Sequence, residues 1–490
     1  MQLPLLPELL LPLSSTQPPP ASRVYCNRSL RFDLIEWVGF DMDYTLAVYD
    51  QVAMDELSVE ATAKKLIERG YPERLLSMPY RTDFPIRGLL VDRKLGNVLK
   101  MDRYRYVKKA FHGMRELSRD ERRTIYHSRR LRTGSPRYHW VDTLFALSEV
   151  TLYAAAIEEL ERDGASVDYD RLFADVRECI DLAHRDGTIL REVVADLPRF
   201  VRRDPDLGRT LHSLRSSGKR TFLLTNSHAD YTERMMRYLL DDALPEYPSW
   251  RHYFDRVVTA ACKPDFFTEE RPFRTTGGDE IEPEALERGA TYAGGNIGAL
   301  ERSLGVRPDQ ILYVGDHIYG DALRIKKEAA WRTAMILQEM NNEHGALVQS
   351  GELIERMDRL DESRDLLHDQ LREHQRRTRR LQLHLDEREV MRASIVPEIE
   401  HAHQRERRAV ERLRRRLRAA DQEHTELEEK VDQTFHPFWG SIFKAGPEVT
   451  IFGNQVEQYA CLYMARVTNL LRYSPMHYFR SPRDRMPHEL

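Results

Sequence analysis

The chain has 490 residues, 41% of them hydrophobic and 31% charged, with a formal net charge of −4. That length supports a large core and two or three structural units, while the slight acidic excess argues against a surface built for nucleic acid. Cys26, Cys179, Cys262 and Cys461 lie far apart without a CxxC pair, a pattern that excludes a disulfide framework and suits a reducing cytoplasm. No apolar run approaches the roughly 20 residues needed to span a bilayer, so no membrane partner is expected.

Residues 1–28 read as a flexible extension. Their apolar start lacks a basic segment, carries Glu8 and is broken by Pro4, Pro7 and Pro12, so a secretory role is not expected. An apolar run from Ile35 to Phe40 then ends abruptly in Asp41-Met-Asp43. It predicts a buried strand of a parallel sheet with both carboxylates at its carboxyl end, where such sheets place ligands. Side chains two apart on an extended chain point the same way, and two close anions are costly unless a cation or a shared proton relieves them.

A helix is predicted over about Met54–Arg69, and short strands at Arg87–Asp92 and Gly96–Met101 form a hairpin. Helical patterns follow at Thr143–Leu160, Tyr169–His184, Leu190–Val201 and Leu207–Ser216. Almost no buried-strand signal lies between Val107 and Lys219, so the block reads as a mostly helical insertion. Strands resume at Lys219–Ser227, Arg256–Ala260 and Gln310–Gly315, with Trp331–Leu337 as the last. Helices lie at Asp230–Leu240 and Ala322–Ala330, and Gly289–Leu304 holds a Gly-rich turn and a short helix. This alternation predicts an α/β, doubly wound parallel sheet.

From Glu352 onward, apolar residues recur on a heptad grid through position 388 and again from Val410 to Val431, with Ile395-Val-Pro397 between them. An antiparallel coiled-coil hairpin is the reading, with a single kinked helix pairing with another chain as the alternative. Glu406 and Glu411 interrupt the arginine-rich segment Arg405–Arg418, which reads as a solvated face. The aromatic tail from Phe435 predicts packed structure, with a helix over Val456–Leu471 and an irregular end after Pro475. The units expected are thus 29–52 with 205–345 as the core, 53–204 as a cap, 346–434 as the hairpin and 435–490 as the tail.

All parallel strands place their carboxyl ends on one edge, so Asp41, Asp43, Thr225, Asn226, Lys263, Asp316 and Asp321 can converge. Phosphoryl transfer needs a nucleophile, a divalent cation, fixed donors and an acid for the leaving group. Mg²⁺ prefers carboxylate oxygens, which Asp41 and Asp316 supply. Thr225 and Lys263 donate to phosphate, and the helix after Asn226 offers its first amides.

Asp41-Met-Asp-Tyr-Thr, Thr225, Lys263 and Gly315-Asp-His-Ile-Tyr-Gly-Asp321 resemble the four motifs of the haloacid dehalogenase superfamily. Phe40-Asp-Met-Asp-Tyr-Thr-Leu, Leu224-Thr-Asn-Ser and Tyr313-Val-Gly-Asp-His-Ile-Tyr-Gly-Asp are similar, more narrowly, to its cytosolic purine 5′-nucleotidase branch. Arg87-Gly-Leu, Lys100-Met-Asp and Gly294-Gly-Asn extend the agreement over about residues 30–345. The resemblance implies a Mg²⁺-dependent 5′-nucleotidase acting on purine nucleoside monophosphates. It makes Asp41 the nucleophile and Asp43 the acid and base, with metal held by Asp41, the Asp43 carbonyl and Asp316, and Asp321 in support. It assigns base contacts to Phe145, Arg177, Asp181 and His184; where that branch has Tyr and Lys after the histidine, this chain has Arg185 and Leu190. His317 is expected to pack or cap its loop. The competing reading is a nucleotide-sensing or scaffold protein acting through the hairpin, which also leaves self-association open.

Overall fold

The computed structural model describes residues 18–126, 131–162, 164, 166–387 and 395–482. The expected extension through residue 17, heptad position 388 and the last eight residues lie outside them. Two compact units divide the chain: residues up to Asn341 together with those from Ile442 onward, and Asn342–Ser441.

The larger unit is organised on seven parallel strands. In spatial order they are Leu462–Met464, Arg332–Ile336, Ile311–Gly315, Trp37–Phe40, Arg220–Leu224, Arg256–Thr259 and Tyr292–Gly294. Trp37–Phe40 is buried throughout because it has a strand on each side, with Phe40 aligned to both Leu223 and Val314. Gly39 is required there, since a Cβ would run into the Phe222 ring. After Tyr292–Gly294 the chain crosses back over the central strand to Ile311–Gly315. That reversal puts the end of the Trp37–Phe40 strand, and so Asp41, at the switch point where open α/β sheets bind ligands. Phe222, Tyr313, Trp331 and Phe266 pack beneath one face of the sheet.

Several expectations need correction. The insertion is mostly helical as expected, but it also carries a five-stranded antiparallel sheet that the weak strand signal did not announce, Arg115–Glu116, Val107–His112, Asn97–Met101, Leu89–Asp92 and Tyr138–Val141 in spatial order. The edge strand Arg115–Glu116 is charged throughout, as edge strands are against aggregation, and its neighbour Val107–His112 carries Lys108 and Lys109, so both read as loop. The hairpin between Leu89–Asp92 and Asn97–Met101 forms as expected, with Gly96 at φ +66° in its turn. Leu190–Val201 is two helices, Thr188–Ala195 and Leu197–Phe200, because Pro198 starts the second. Val456–Leu471 is not one helix. The helix is Ile451–Tyr459, after which Leu462–Met464 adds a strand beside Arg332–Ile336, so the latter is not the last. Tyr25–Cys26 pairs with that added strand, and Tyr478–Phe479 pairs with Leu30–Arg31. The end of the extension and the start of the final segment are therefore ordered by pairing with each other's neighbourhoods, which local sequence does not encode.

The smaller unit contains two long helices, Gly351–Asp386 and Val396–Phe435. They run antiparallel, as the pairs Arg364–Asp421 (2.8 Å) and His374–Glu406 (2.5 Å) establish, with Arg356 also on Glu423. Leu367, Val410, Leu413, Ala420 and Leu427 are buried. Pro397 falls in the first turn of the second helix, where a missing N–H costs nothing.

Candidate active site

Asp41 follows the central strand, and its amide donates to the Val314 carbonyl at 2.9 Å, tying it to the neighbouring strand. Its Oδ1 accepts from the Met42 amide (2.7 Å), and its Oδ2 lies 2.9 Å from Lys263 Nζ. The same ammonium reaches Asp321 Oδ1 (2.8 Å) and donates to the Tyr313 hydroxyl (2.9 Å). Carboxylate oxygens of Asp41, Asp316 and Asp321 lie within 4.8 Å of one another, and all three residues are buried. Gly315 permits this closeness, since a Cβ there would stand 2.6 Å from Asp321 Cβ.

The electrostatics follow from burial. Burial pushes Asp41 well above the usual carboxylate range, with Lys263 opposing and Asp321, Asp43 and Asp316 adding repulsion. Burial pushes Asp316 up to about 7, with Arg87 opposing. For Lys263 burial works the other way, but Asp321 and Asp41 outweigh it and hold the ammonium charged. Arg87 grips Glu339 through two bonds of 2.6 and 2.7 Å, donates to the Asp316 carbonyl at 2.7 Å, and stands 3.8 Å from Asp316 Oδ2. Asp41 and Asp321 share the Lys263 ammonium, while Asp316 has only the more distant Arg87, itself paired with Glu339, so the cluster when ionised is short of positive charge. An all-oxygen, buried, acidic cluster of this kind fits a hard divalent cation.

Asp43 points to a different set of partners. Its Oδ1 accepts from the Tyr49 hydroxyl (2.6 Å) and its Oδ2 from Ser227 Oγ (2.7 Å). Burial raises its pKa and these two donors pull it back. Thr225 is fully buried at the end of its strand, where its hydroxyl accepts from the Ser227 amide at 3.1 Å. Asn226 braces the neighbouring loop: its Oδ1 accepts from the Lys263 amide (2.6 Å) and its Nδ2 donates to the Lys263 carbonyl (2.9 Å).

The insertion brings an aromatic patch to this edge. Phe145 stands edge-on to Tyr44 (4.7 Å between centroids) and to His184 (6.0 Å), with Tyr49 at 6.2 Å. Burial lowers the His184 pKa, with Asp181 and Asp43 opposing. Arg177 sits 3.7 Å from Glu149 and 3.0 Å from the His139 ring, and Asp181 lies on the same helix face, Tyr169–Arg185. His317 pairs with Asp142 at 3.4 Å, so it clamps its loop to the insertion.

Sequence reasoning did not single out Tyr49, Ser227, Tyr313, Glu339 or Glu149. Ser227 carried a usable signal, since it follows Thr225-Asn226 at the same strand end. The others reach the site from a helix entry, a strand interior or a distant loop, and no local pattern marks them.

Comparison with known proteins identifies the family. The chain matches the 5′ nucleotidase family over residues 24–490. It is 27% identical over 476 residues to a 5′-nucleotidase domain-containing protein of Dictyostelium discoideum, covering 95% of this chain and 74% of that protein. Among solved structures, a predicted phosphoglycolate phosphatase of Haemophilus somnus is 14% identical, covering 62% of this chain and 85% of that one, with a TM-score of 0.27. CbbY of Rhodobacter sphaeroides in complex with phosphate is 16% identical, with coverages of 62% and 86% and a TM-score of 0.23. The L-2-haloacid dehalogenase of Xanthobacter autotrophicus is 15% identical, with coverages of 62% and 78% and a TM-score of 0.21. At such scores these likenesses carry no argument, whereas the family match spans nearly the whole chain and every strand that supplies the acidic edge. The chain belongs to the 5′ nucleotidase family and is a phosphoric monoester hydrolase.

Proposed function

We propose that the protein is a Mg²⁺-dependent 5′-nucleotidase that releases phosphate from purine nucleoside 5′-monophosphates of the IMP or GMP type. The observation that carries this reading is the division of labour between Asp41 and Asp43. One faces Lys263 and two further carboxylates, while the other is held by two hydroxyls.

An oxygen of the Asp41 carboxylate attacks phosphorus, and the P–O5′ bond breaks as Asp43 passes its proton to the leaving nucleoside oxygen. An aspartyl-phosphate remains on Asp41. The Asp43 carboxylate then takes a proton from water, whose oxygen attacks phosphorus and frees inorganic phosphate and Asp41. A carboxyl whose pKa is raised by burial suits a group that must both give and take this proton. Lys263 holds Asp41 and Asp321 in place and donates toward the phosphoryl oxygens, and Thr225 supports the turn beside them. The Asp41 carboxylate, Asp43 carbonyl and Asp316 would hold Mg²⁺, with Asp321 in support. Bound there, the ion supplies the positive charge that balances the non-bridging phosphate oxygens.

Phe145 offers a face on which a base stacks, and Arg177, Asp181 and His184 line one helix face beside it. Arg185 and Leu190 stand where the purine branch has tyrosine and lysine, so base preference and phosphate affinity are the properties in which this chain departs from that branch. The proposed substrate is the free nucleotide; neither nucleic acid nor membrane takes part, and the location proposed is cytoplasmic. The test is phosphate release from a panel of IMP, GMP, AMP and CMP with and without EDTA. Wild type should act on IMP or GMP and Asp41→Asn should not. Inactivity of the wild type toward a broad phosphomonoester panel in Mg²⁺ would overturn the proposal.

A further inference from the structure

The second long helix, Val396–Phe435, is divided by charge. Between Arg405 and Arg418 it carries eight arginines against two glutamates, and between Asp421 and Asp432 six acids against one lysine. Opposite its buried face, Arg408, Glu411, Arg415, Arg418, Gln422, Glu426 and Glu429 recur at three- and four-residue steps along one exposed stripe. Within the chain this stripe is poorly neutralised. Arg408, Arg415, Arg418 and Glu429 make no ion pair among the described residues, and Glu426 accepts only a hydrogen bond from Gln422 at 3.0 Å. Elsewhere in the same hairpin acids and bases pair readily, as Arg364 does with both Asp361 and Asp421.

We propose that this stripe is a self-association surface whose partner is a second copy of this chain, laid antiparallel about a two-fold axis at Gln422. The spacing makes the stripe self-complementary. In that register Arg418 of each copy faces Glu426 of the other, and Arg415 faces Glu429, giving four intermolecular ion pairs over about 21 Å of helix. A parallel arrangement sets like charges together and is disfavoured. An acidic or polyanionic partner would satisfy the arginines alone and leave Glu426 and Glu429 unmet, whereas a second copy satisfies both. The inference is independent of the catalytic proposal, because none of these residues belongs to the acidic edge.

Charge reversal tests it. In sedimentation equilibrium at about 50 mM salt, where screening is weak, wild type should have twice the chain mass and lose it as salt rises toward about 1 M. Arg415→Glu/Arg418→Glu and Glu426→Arg/Glu429→Arg should each be monomeric, with unchanged helical dichroism and unchanged phosphatase activity. An equimolar mixture of the two should regain the doubled mass, because all four contacts are again of opposite sign. A monomeric wild type at low salt, a dimer indifferent to both reversals, or a mixture that stays monomeric would each overturn the proposal. So would a wild type that stays monomeric and instead retains heparin.

Discussion

Removing the Lys263 ammonium without much change in volume, as Lys263→Met does, perturbs the site most directly. The lysine lies 2.9 Å from Asp41 Oδ2 and 2.8 Å from Asp321 Oδ1, with only 4% of its side chain exposed. At an effective dielectric of about 20, each contact is worth roughly 6 kcal/mol of gross attraction, most of which is offset by the cost of burying the charges. Taking away the cation strands the carboxylates, and uncompensated buried charge of this kind costs about 3–5 kcal/mol. The assay is urea unfolding followed by tryptophan fluorescence, which reports mainly on the larger unit because Trp37, Trp140, Trp250 and Trp331 lie there. At pH 8 without divalent cation the variant should lose about 3–5 kcal/mol. At pH 5 the loss should shrink, because Asp41 and Asp316 take up protons when their counter-charge is removed. Added Mg²⁺ should restore part of the loss at pH 8. A loss below about 1 kcal/mol at pH 8, or equal losses at both pH values, would refute the reasoning.

Three further outcomes are expected. Metal-free wild type should lose stability as pH rises. Asp316 has its folded pKa raised from 3.8 to about 7, so stability present below pH 4 is lost progressively through pH 7. That linkage amounts to about 4 kcal/mol, visible as a falling unfolding midpoint in EDTA that Mg²⁺ flattens. Ser227→Ala removes one of the two donors that stabilise ionised Asp43, so the Asp43 limb of the pH–rate profile should move up by about one unit. Gly315→Ala places a Cβ against the Asp321 side chain and should cost about 1–3 kcal/mol, with loss of phosphatase activity, measured by thermal melts and phosphate release.

How much of the site was legible in the chain depends on where each residue sits. Asp41, Asp43, Thr225, Lys263, Asp316 and Asp321 stand at or just beyond the ends of strands, and parallel strands put those ends on one edge. Their convergence therefore followed once the strands were recognised. Asn226 was legible as a neighbour but not in its task, because only the folded loop directs its amide to the Lys263 main chain. Tyr49 and Tyr313 look in sequence like ordinary aromatic residues of an apolar stretch. Their hydroxyls reach Asp43 and Lys263 only because other segments set their positions.

The alternation of strands and helices, the acidic tips and the break at Pro397 were readable along the chain, because they depend on backbone preference and on periodicity a few residues long. Tertiary structure alone decided that the insertion holds a five-stranded sheet and that Leu462–Met464 and Tyr25–Cys26 extend the main one. It alone also decided that Arg87 is divided between Glu339 and Asp316, which leaves the ionised acidic edge short of positive charge. Short edge strands draw their stability from hydrogen bonds to residues hundreds of positions away, and charge balance in a buried site depends on which partners arrive. Neither quantity is carried by a local window of sequence.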